Sequence, residues 1–187
     1  MSDELSMMFS GVSKDYPVVL YGNEVLRQPT TPVRKIDSEI RNLVSKMRTA
    51  MADCNGIGLA APQVGVSKSV IVYMDFMQGD EPVVKVLVNP EVVKFSDETE
   101  PFDEGCLSLP ELRATVIRPS EVWVKGMDMT GRTIRVKAHG LTARVLQHEI
   151  DHLSGKLFID IADPNSFYWL GDEAEPLEEK QEQAVAI

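Results

Sequence analysis

The chain has 187 residues, of which 43% are hydrophobic and 26% are charged, and this balance is typical of one globular domain. The length excludes two large domains, and no apolar run approaches the roughly 20 residues of a bilayer-spanning helix. The formal net charge is -10, and no block of about five Lys or Arg residues occurs. We therefore predict neither direct binding to nucleic acid nor association with a membrane.

The sequence predicts three parts: an N-terminal arm over 1–13, one domain over 14–163, and an acidic, mobile tail over 164–187. Residues 160–187 contain eight acids and one base, a composition that rarely folds by itself. The aromatic residues Phe167, Tyr168 and Trp169 are expected to contact the domain. Because residues 1–11 lack Lys and Arg and the chain has only two cysteines, we predict a cytoplasmic location.

The first strong periodic pattern predicts a helix over 37–55. Its apolar residues recur three and four positions apart, which gives one stripe on a helix. They are Ile40, Leu43, Val44, Met47, Ala50, Met51 and Cys54. Asp37 or Ser38 is the predicted N-cap, and Asn55-Gly56 is the predicted stop.

The middle of the chain predicts short strands over 70–73, 83–88, 121–125 and 133–136, all rich in Val and Ile. Asn89-Pro90 and Pro119 are expected to end strands, and Asp128 to Arg132 is expected to form a hairpin turn. A second helix is predicted over 141–153. The expected fold class is therefore α+β, with mainly antiparallel strands packed around this second helix.

Metal-site chemistry is indicated by His148-Glu149-Ile150-Asp151-His152 in the second helix. Histidines four residues apart lie about one turn apart on one face, so both imidazoles can reach one metal ion. Glu149 is placed to take a proton from a metal-bound water, as in other helices with this pattern. Asp151 is interpreted as a structural acid that fixes a ligand or a neighbouring arginine.

A catalytic metal site needs a third protein ligand, and two candidates remain open. Cys106 lies in Glu104-Gly105-Cys106-Leu107-Ser108, which we interpret as a loop between strands, and its thiolate is a strong ligand. Glu173 follows His152 by 21 residues, a separation that suits a zinc endopeptidase with two His ligands and one Glu ligand. The acidic surroundings of Glu173 do not predict a rigid element, so Cys106 is favoured.

A third motif, Gly56-Ile57-Gly58-Leu59-Ala60-Ala61-Pro62-Gln63, follows the first helix. Its glycines allow a backbone to approach a substrate closely, and the Gln63 amide could donate to a developing oxyanion. By itself this motif is also compatible with an ordinary helix stop and a buried turn.

Together these three motifs resemble the signature motifs of the peptide deformylase family, in the same order and at similar spacing. The resemblance covers about Tyr16 to Asp163. It implies removal of the formyl group from the N-terminal formyl-methionine of new polypeptides, with transient ribosome association. It also implies one divalent metal ion, with Fe²⁺ favoured and Zn²⁺, Ni²⁺ or Co²⁺ as alternatives.

The same resemblance implies a role for each matching residue. Cys106, His148 and His152 bind the metal, and Glu149 is the general base and acid when metal-bound hydroxide attacks the formyl carbon. The Gln63 side chain and the Leu107 backbone N–H stabilise the oxyanion. Ile57, Gly58 and Arg113 match positions that bind an extended peptide. The alternatives left open are the zinc endopeptidase and a catalytically inactive homologue that binds N-termini.

Overall fold

The computed structural model describes residues 15–79, 81–170 and the backbone of 185–186. The predicted arm over 1–13 and the alternative ligand Glu173 lie outside the described residues, as does most of the predicted tail. Within the described part of the chain, no helix has the length and apolar character needed to cross a bilayer.

Two α-helices and a five-stranded sheet form the larger layer. The helices are α1 (Ser38–Asp53) and α2 (Gly140–Leu153). The sheet has the order β1-β2-β3-β6-β7, and all its neighbouring strands are antiparallel. Its strands are β1 (Gly58–Ala60), β2 (Val70–Asp75), β3 (Val83–Phe95), β6 (Glu121–Met127) and β7 (Thr133–His139).

A second sheet is built on the long hairpin of β4 (Thr99–Cys106) and β5 (Leu109–Pro119). Its order is β8-β5-β4-β9, where β8 is Tyr168–Trp169 and β9 is Val185–Ala186. β8 pairs antiparallel with β5, whereas β9 pairs parallel with β4. Trp169 also packs against the apolar cluster of this sheet, so the described chain continues in contact with the domain beyond Asp163.

The alternation of side chains along β2 explains why both helices pack on the larger sheet. Val70 and Val72 belong to one buried cluster with the apolar stripe of α1, and Ile71 and Tyr73 belong to another with α2. Successive side chains of a strand point to opposite faces, so a fully apolar strand needs cover on both. β2 is therefore sandwiched between the helices.

Helix α1 begins and ends close to the predicted positions. The Asp37 carboxylate accepts a hydrogen bond from the Ile40 N–H at 3.1 Å, which caps the first turn. Cys54 lies just beyond the last turn, half-buried against the α1 cluster. Asn55 takes the left-handed conformation with φ of 52°, which ends the helix.

The α+β class with mainly antiparallel strands around α2 is confirmed, but two local predictions are wrong. Asn89-Pro90 does not end a strand: β3 continues to Phe95 with a register shift between Val88 and Glu91. Such a bulge accommodates both the positive φ of Asn89 and the missing N–H of Pro90. Cys106 does not lie in a loop, because it is the last residue of β4.

A partly buried ion pair in the larger sheet predicts acid-dependent stability. The buried Asp75 carboxylate accepts a hydrogen bond from Lys85 at 2.5 Å. Burial alone raises the pKa of Asp75, but the hydrogen bonds from Lys85, the Met77 N–H and Thr142, together with the charge of Lys85, outweigh it and hold the pKa below its usual range. A depressed native pKa stabilises the fold above the unfolded pKa of about 3.9, and this contribution is lost as pH falls through the native pKa.

We therefore expect Asp75→Asn to lower the free energy of unfolding by about 1–3 kcal/mol at pH 7. Urea denaturation should show this deficit shrinking as pH falls below about 4 and through the lower native pKa, where the native carboxyl group also becomes neutral. Asp97→Asn, at an exposed acid, is the control and should change little at either pH. An equal deficit for Asp75→Asn at pH 7 and pH 3 would contradict this account.

Candidate metal centre

Helix α2 carries three buried residues of the centre. Val145 and Leu146 are fully buried in the cluster that α2 shares with the larger sheet. His148, Glu149 and His152 are also buried: the two histidines face β4, and Glu149 lies against β1. Because α2 packs against other elements on both sides, few of its residues are exposed.

The thiol of Cys106 and the imidazoles of His148 and His152 converge, with their ligand atoms all within 4.8 Å of one another. Cys106 Sγ lies 3.4 Å from His152 Nε2. Metal bonds of about 2.0 Å to nitrogen and 2.3 Å to sulfur in tetrahedral geometry place two such ligand atoms about 3.5 Å apart. The three donors therefore fit one divalent transition metal ion.

Glu104 fixes the tautomer of His148. One Glu104 oxygen lies 2.9 Å from His148 Nδ1, and the ionised carboxylate can only accept, so Nδ1 carries the hydrogen. The remaining nitrogen, Nε2, keeps its lone pair and is buried without a hydrogen-bond partner among the described residues. A buried, unpartnered lone pair beside a thiol is the form that binds a metal.

Two buried arginines hold Glu104 in place. Arg118 binds both carboxylate oxygens, with distances of 2.6 and 3.0 Å, and Arg144 lies 3.0 Å from one of them. Arg118 also binds Asp151 at 2.6 Å, so the prediction that Asp151 fixes a neighbouring arginine is confirmed. Because a carboxylate is favoured beside two guanidinium groups, this network keeps Glu104 charged despite its complete burial.

The two glutamates of the centre have opposite pKa shifts. Burial raises the pKa of Glu104, but the hydrogen bonds from His148 and Arg118 outweigh it and hold the pKa far below its usual range. Burial raises the pKa of Glu149 well above its usual range, and the charge of Glu104 adds to that effect. Divergent carboxyl groups of this kind separate a permanent anion from a proton carrier. Glu149 is therefore the group suited to proton transfer.

The protonation of the metal ligands follows from their burial. Burial raises the pKa of the Cys106 thiol to about 12, so the metal-free thiol is protonated at neutral pH. Burial holds the pKa of His152 well below its usual range, so this imidazole is neutral. Metal binding should therefore release the Cys106 proton and use neutral imidazoles.

Gln63 lies in the short helical turn Ala61–Val64 that follows β1, and it is fully buried. Its Oε1 accepts a hydrogen bond from the Ala60 N–H at 2.8 Å, which fixes the orientation of the amide. Its Nε2 consequently faces the centre, 3.5 Å from Cys106 Sγ and 3.4 Å from Ser108 Oγ. The structure thus brings a buried amide donor to the metal cluster.

Two glycines bring backbone close to the centre. A Cβ on Gly58 would lie 2.5 Å from Glu149 Oε1, so β1 passes directly against that carboxyl group. A Cβ on Gly105 would overlap the guanidinium group of Arg113, its buried neighbour in β5. Both positions therefore need glycine for close packing.

The other predicted binding residues lie nearby. Leu107 is buried directly after Cys106, and its carbonyl oxygen accepts a hydrogen bond from the Tyr16 hydroxyl at 3.1 Å. A Cβ on Gly56 would lie 2.6 Å from the Leu107 side chain, so the loop before β1 contacts Leu107. Ile57 is half-buried against the α2 cluster, and its carbonyl oxygen accepts a hydrogen bond from the Met74 N–H.

Sequence reasoning missed Glu104, Arg118 and Arg144 as residues of the centre. A signal for Glu104 was available: residues two apart in a strand share a face, so Glu104 lies on the same side as Cys106. Interpreting this stretch as a loop removed that signal. Arg118 and Arg144 are far apart in the sequence, and no local pattern indicates that they meet.

We expect Glu104→Gln to weaken metal binding and the fold together. The change leaves Arg118 and Arg144 buried without their shared anion, a loss of about 3–5 kcal/mol. It also weakens the hydrogen bond that orients His148, which should lower metal affinity about 10- to 100-fold. Urea denaturation of metal-free protein and metal titration measure the two effects. Asp103→Asn, at the preceding acid of β4, should leave metal affinity unchanged. If both variants lost the same metal affinity, Glu104 would have no special role in the centre.

Three features define a metallohydrolase: a buried Cys/His/His cluster, an amide donor, and a glutamate beside the histidines that has no hydrogen-bond partner in the described part of the chain. Comparison with known proteins identifies which one. The model of the polypeptide deformylase family matches residues 15–167, and the chain belongs to this family.

Relatives and solved structures agree with this assignment. A peptide deformylase from Picosynechococcus is 48% identical over 139 residues, which cover 74% of each chain. One from Rhizobium meliloti is 46% identical over 144 residues, covering 77% of this chain and 83% of the relative. The structure of a Synechococcus elongatus peptide deformylase superimposes with a TM-score of 0.73 at 41% identity and covers 81% of both chains.

The family membership and the residues of the centre together confirm the predicted hydrolytic activity. The chain is a metal-dependent hydrolase that removes the N-terminal formyl group, as the resemblance implied. The zinc endopeptidase and the inactive homologue are correspondingly disfavoured, since Cys106 completes the ligand set and Glu149 is present.

Proposed function

We propose that this chain deformylates N-formylmethionyl polypeptides with Glu149 as the general base and acid. The observation that carries this proposal is the Glu149 carboxyl group, which is buried beside the metal ligands without a hydrogen-bond partner among the described residues. Its raised pKa allows it to accept a proton from water and then to donate it to the departing amine.

Gln63 and Leu107 are proposed to stabilise the oxyanion that develops on the formyl oxygen. The Gln63 Nε2 donor already faces the centre because its Oε1 is held by Ala60. Leu107 follows Cys106 directly, so its backbone N–H belongs to the peptide unit that joins it to the ligand residue. Donors fixed before the reaction are the most effective for this purpose.

Cys106, His148 and His152 are proposed to hold one Fe²⁺ ion, with Zn²⁺, Ni²⁺ and Co²⁺ as alternatives. One thiolate and two imidazoles suit all four metals, so the ligand set alone does not choose between them. When bound, the ion lowers the pKa of a water molecule towards about 7 and polarises the formyl carbonyl. The proton carrier and the amide donor come from the protein.

The peptide is proposed to bind as an extended strand between the edges of β1 and β4. Gly58 in β1 lies against Glu149, and Gly105 in β4 precedes Cys106, so both edges end at the centre. Ile57 and Gly58 would bind the peptide backbone, and Arg113 would support the β4 side through its contact with Gly105. Edge strands accept extended peptides through main-chain hydrogen bonds.

A cytoplasmic location and transient contact with the ribosome are also proposed. Both cysteines are free thiols, which agrees with a reducing compartment. Formylated N-termini emerge during synthesis, so an enzyme that removes the formyl group meets its substrate near the ribosome.

The deciding experiment is deformylation of a formyl-Met-Ala-Ser peptide by protein prepared without oxygen and loaded with Fe²⁺, Zn²⁺, Ni²⁺ or Co²⁺. We expect turnover, with the Fe²⁺ form losing activity in air as the ion oxidises. Cleavage of internal peptide bonds instead of formyl release would favour the endopeptidase. Metal-loaded protein that leaves the peptide unchanged would favour the inactive homologue.

A further inference from the structure

The outer edge of β4 is occupied by another part of the same chain. β4 pairs with β5 on one side, and on the other side β9 pairs with its last residues. Val185 lies opposite Glu104, and Ala186 lies opposite Gly105. Because Cys106 is the next residue of β4, this short strand lies directly beside the metal centre.

The same edge is the one that a peptide substrate needs. β1 is an outermost strand of the larger sheet. Without β9, β4 would be an outermost strand of the second sheet. An open strand edge binds extended peptides, and two such edges flank the centre. Only one strand can pair with the Glu104 and Gly105 backbone at a time, so β9 and a peptide compete for it.

The direction of β9 distinguishes it from a substrate. β4 runs towards Cys106, and β9 is parallel to β4, so β9 also approaches the centre with its C-terminal end first. A formylated peptide must bring its N-terminus to Glu149, and so it would run antiparallel to β4. The segment therefore covers the binding edge but presents the wrong end for deformylation.

We propose that Val185–Ala186 is an internal competitive inhibitor, which occupies the β4 edge at Gly105 and must leave before a peptide substrate binds. This inference rests on the peptide orientation proposed above. Attachment to the same chain gives even a two-residue pairing a high effective concentration. A binding edge that is free for only part of the time raises the apparent KM by the reciprocal of the free fraction and leaves kcat unchanged.

The test compares the full-length parent with the double variant Val185→Pro/Ala186→Pro, loaded with the same metal. Proline removes the backbone N–H groups that a paired strand donates, but it keeps the length and charge of the chain. Loss of one or two backbone hydrogen bonds should lower the KM for formyl-Met-Ala-Ser by about 3- to 30-fold, with kcat unchanged. Val185→Thr/Ala186→Ser is the matched control, because it changes side chains and keeps every backbone donor, and it should retain the parent KM.

Binding of the product peptide Met-Ala-Ser, measured by calorimetry, provides a readout that does not require turnover. Its Kd should fall in the proline variant by the same factor as KM. Unchanged KM and Kd, or a weaker affinity in the proline variant, would overturn the inference. A lower Kd in a protein that shows no turnover would support occupation of the edge and would reject the proposed reaction instead.

Discussion

Replacement of Glu149 by alanine should lower kcat by about 10²- to 10⁴-fold or more and leave the metal content unchanged. Glu149 is the buried carboxyl group beside the ligands that has no hydrogen-bond partner among the described residues. Its pKa is raised by burial and by Glu104, so it can carry the proton that hydrolysis must move. Because Glu149 is not one of the three converging donors, its loss should not release the ion.

The measurement is steady-state deformylation together with metal analysis of the same preparation. Glu121→Gln is a suitable control, because it removes a partly exposed carboxylate that pairs with Lys137 outside the centre. The control should retain both activity and metal. If Glu149→Ala kept more than a tenth of the parent kcat, another group would have to transfer the proton.

Replacement of Cys106 by alanine should abolish both metal binding and activity. Among the residues that the structure describes, the thiol is one of three donors that converge, and its Sγ lies 3.4 Å from His152 Nε2. A site with two imidazoles alone lacks the thiolate charge that offsets the divalent ion in this buried environment. The expected loss of metal affinity is larger than the roughly 10- to 100-fold loss that follows when a residue that orients a ligand is replaced.

The chain provides its own matched control in Cys54. This second free thiol is half-buried at the end of α1 and packs against the apolar cluster there. Cys54→Ala should therefore bind metal and turn over like the parent. Its expected effect is a small loss of stability from the lost packing contact. If Cys106→Ala still bound metal, the third ligand would lie elsewhere, and Glu173→Ala would be the next variant to measure.

Local patterns account for much of the fold. Helix α1 was predictable because its apolar stripe and its Asp37 cap are properties of neighbouring residues. The hairpin between β6 and β7 was predictable for the same reason, since Gly131 provides the positive φ of its turn. The hairpin of β4 and β5 was missed because its strands carry Pro, Gly and charged residues, and their pairing depends on distant contacts.

The sequence by itself determined the chemical groups of the centre and the family, because His148, Glu149 and His152 are neighbours on one helix and three motifs occur in order. Only the tertiary structure decided how the two carboxyl groups of the centre differ in pKa. Glu104 and Glu149 are the same residue type, and they differ because Arg118 and Arg144 meet only one of them. The tertiary structure also placed Val185–Ala186 on the edge of β4. A pKa and a strand partner depend on groups that folding brings together, and their separation in the sequence hides them.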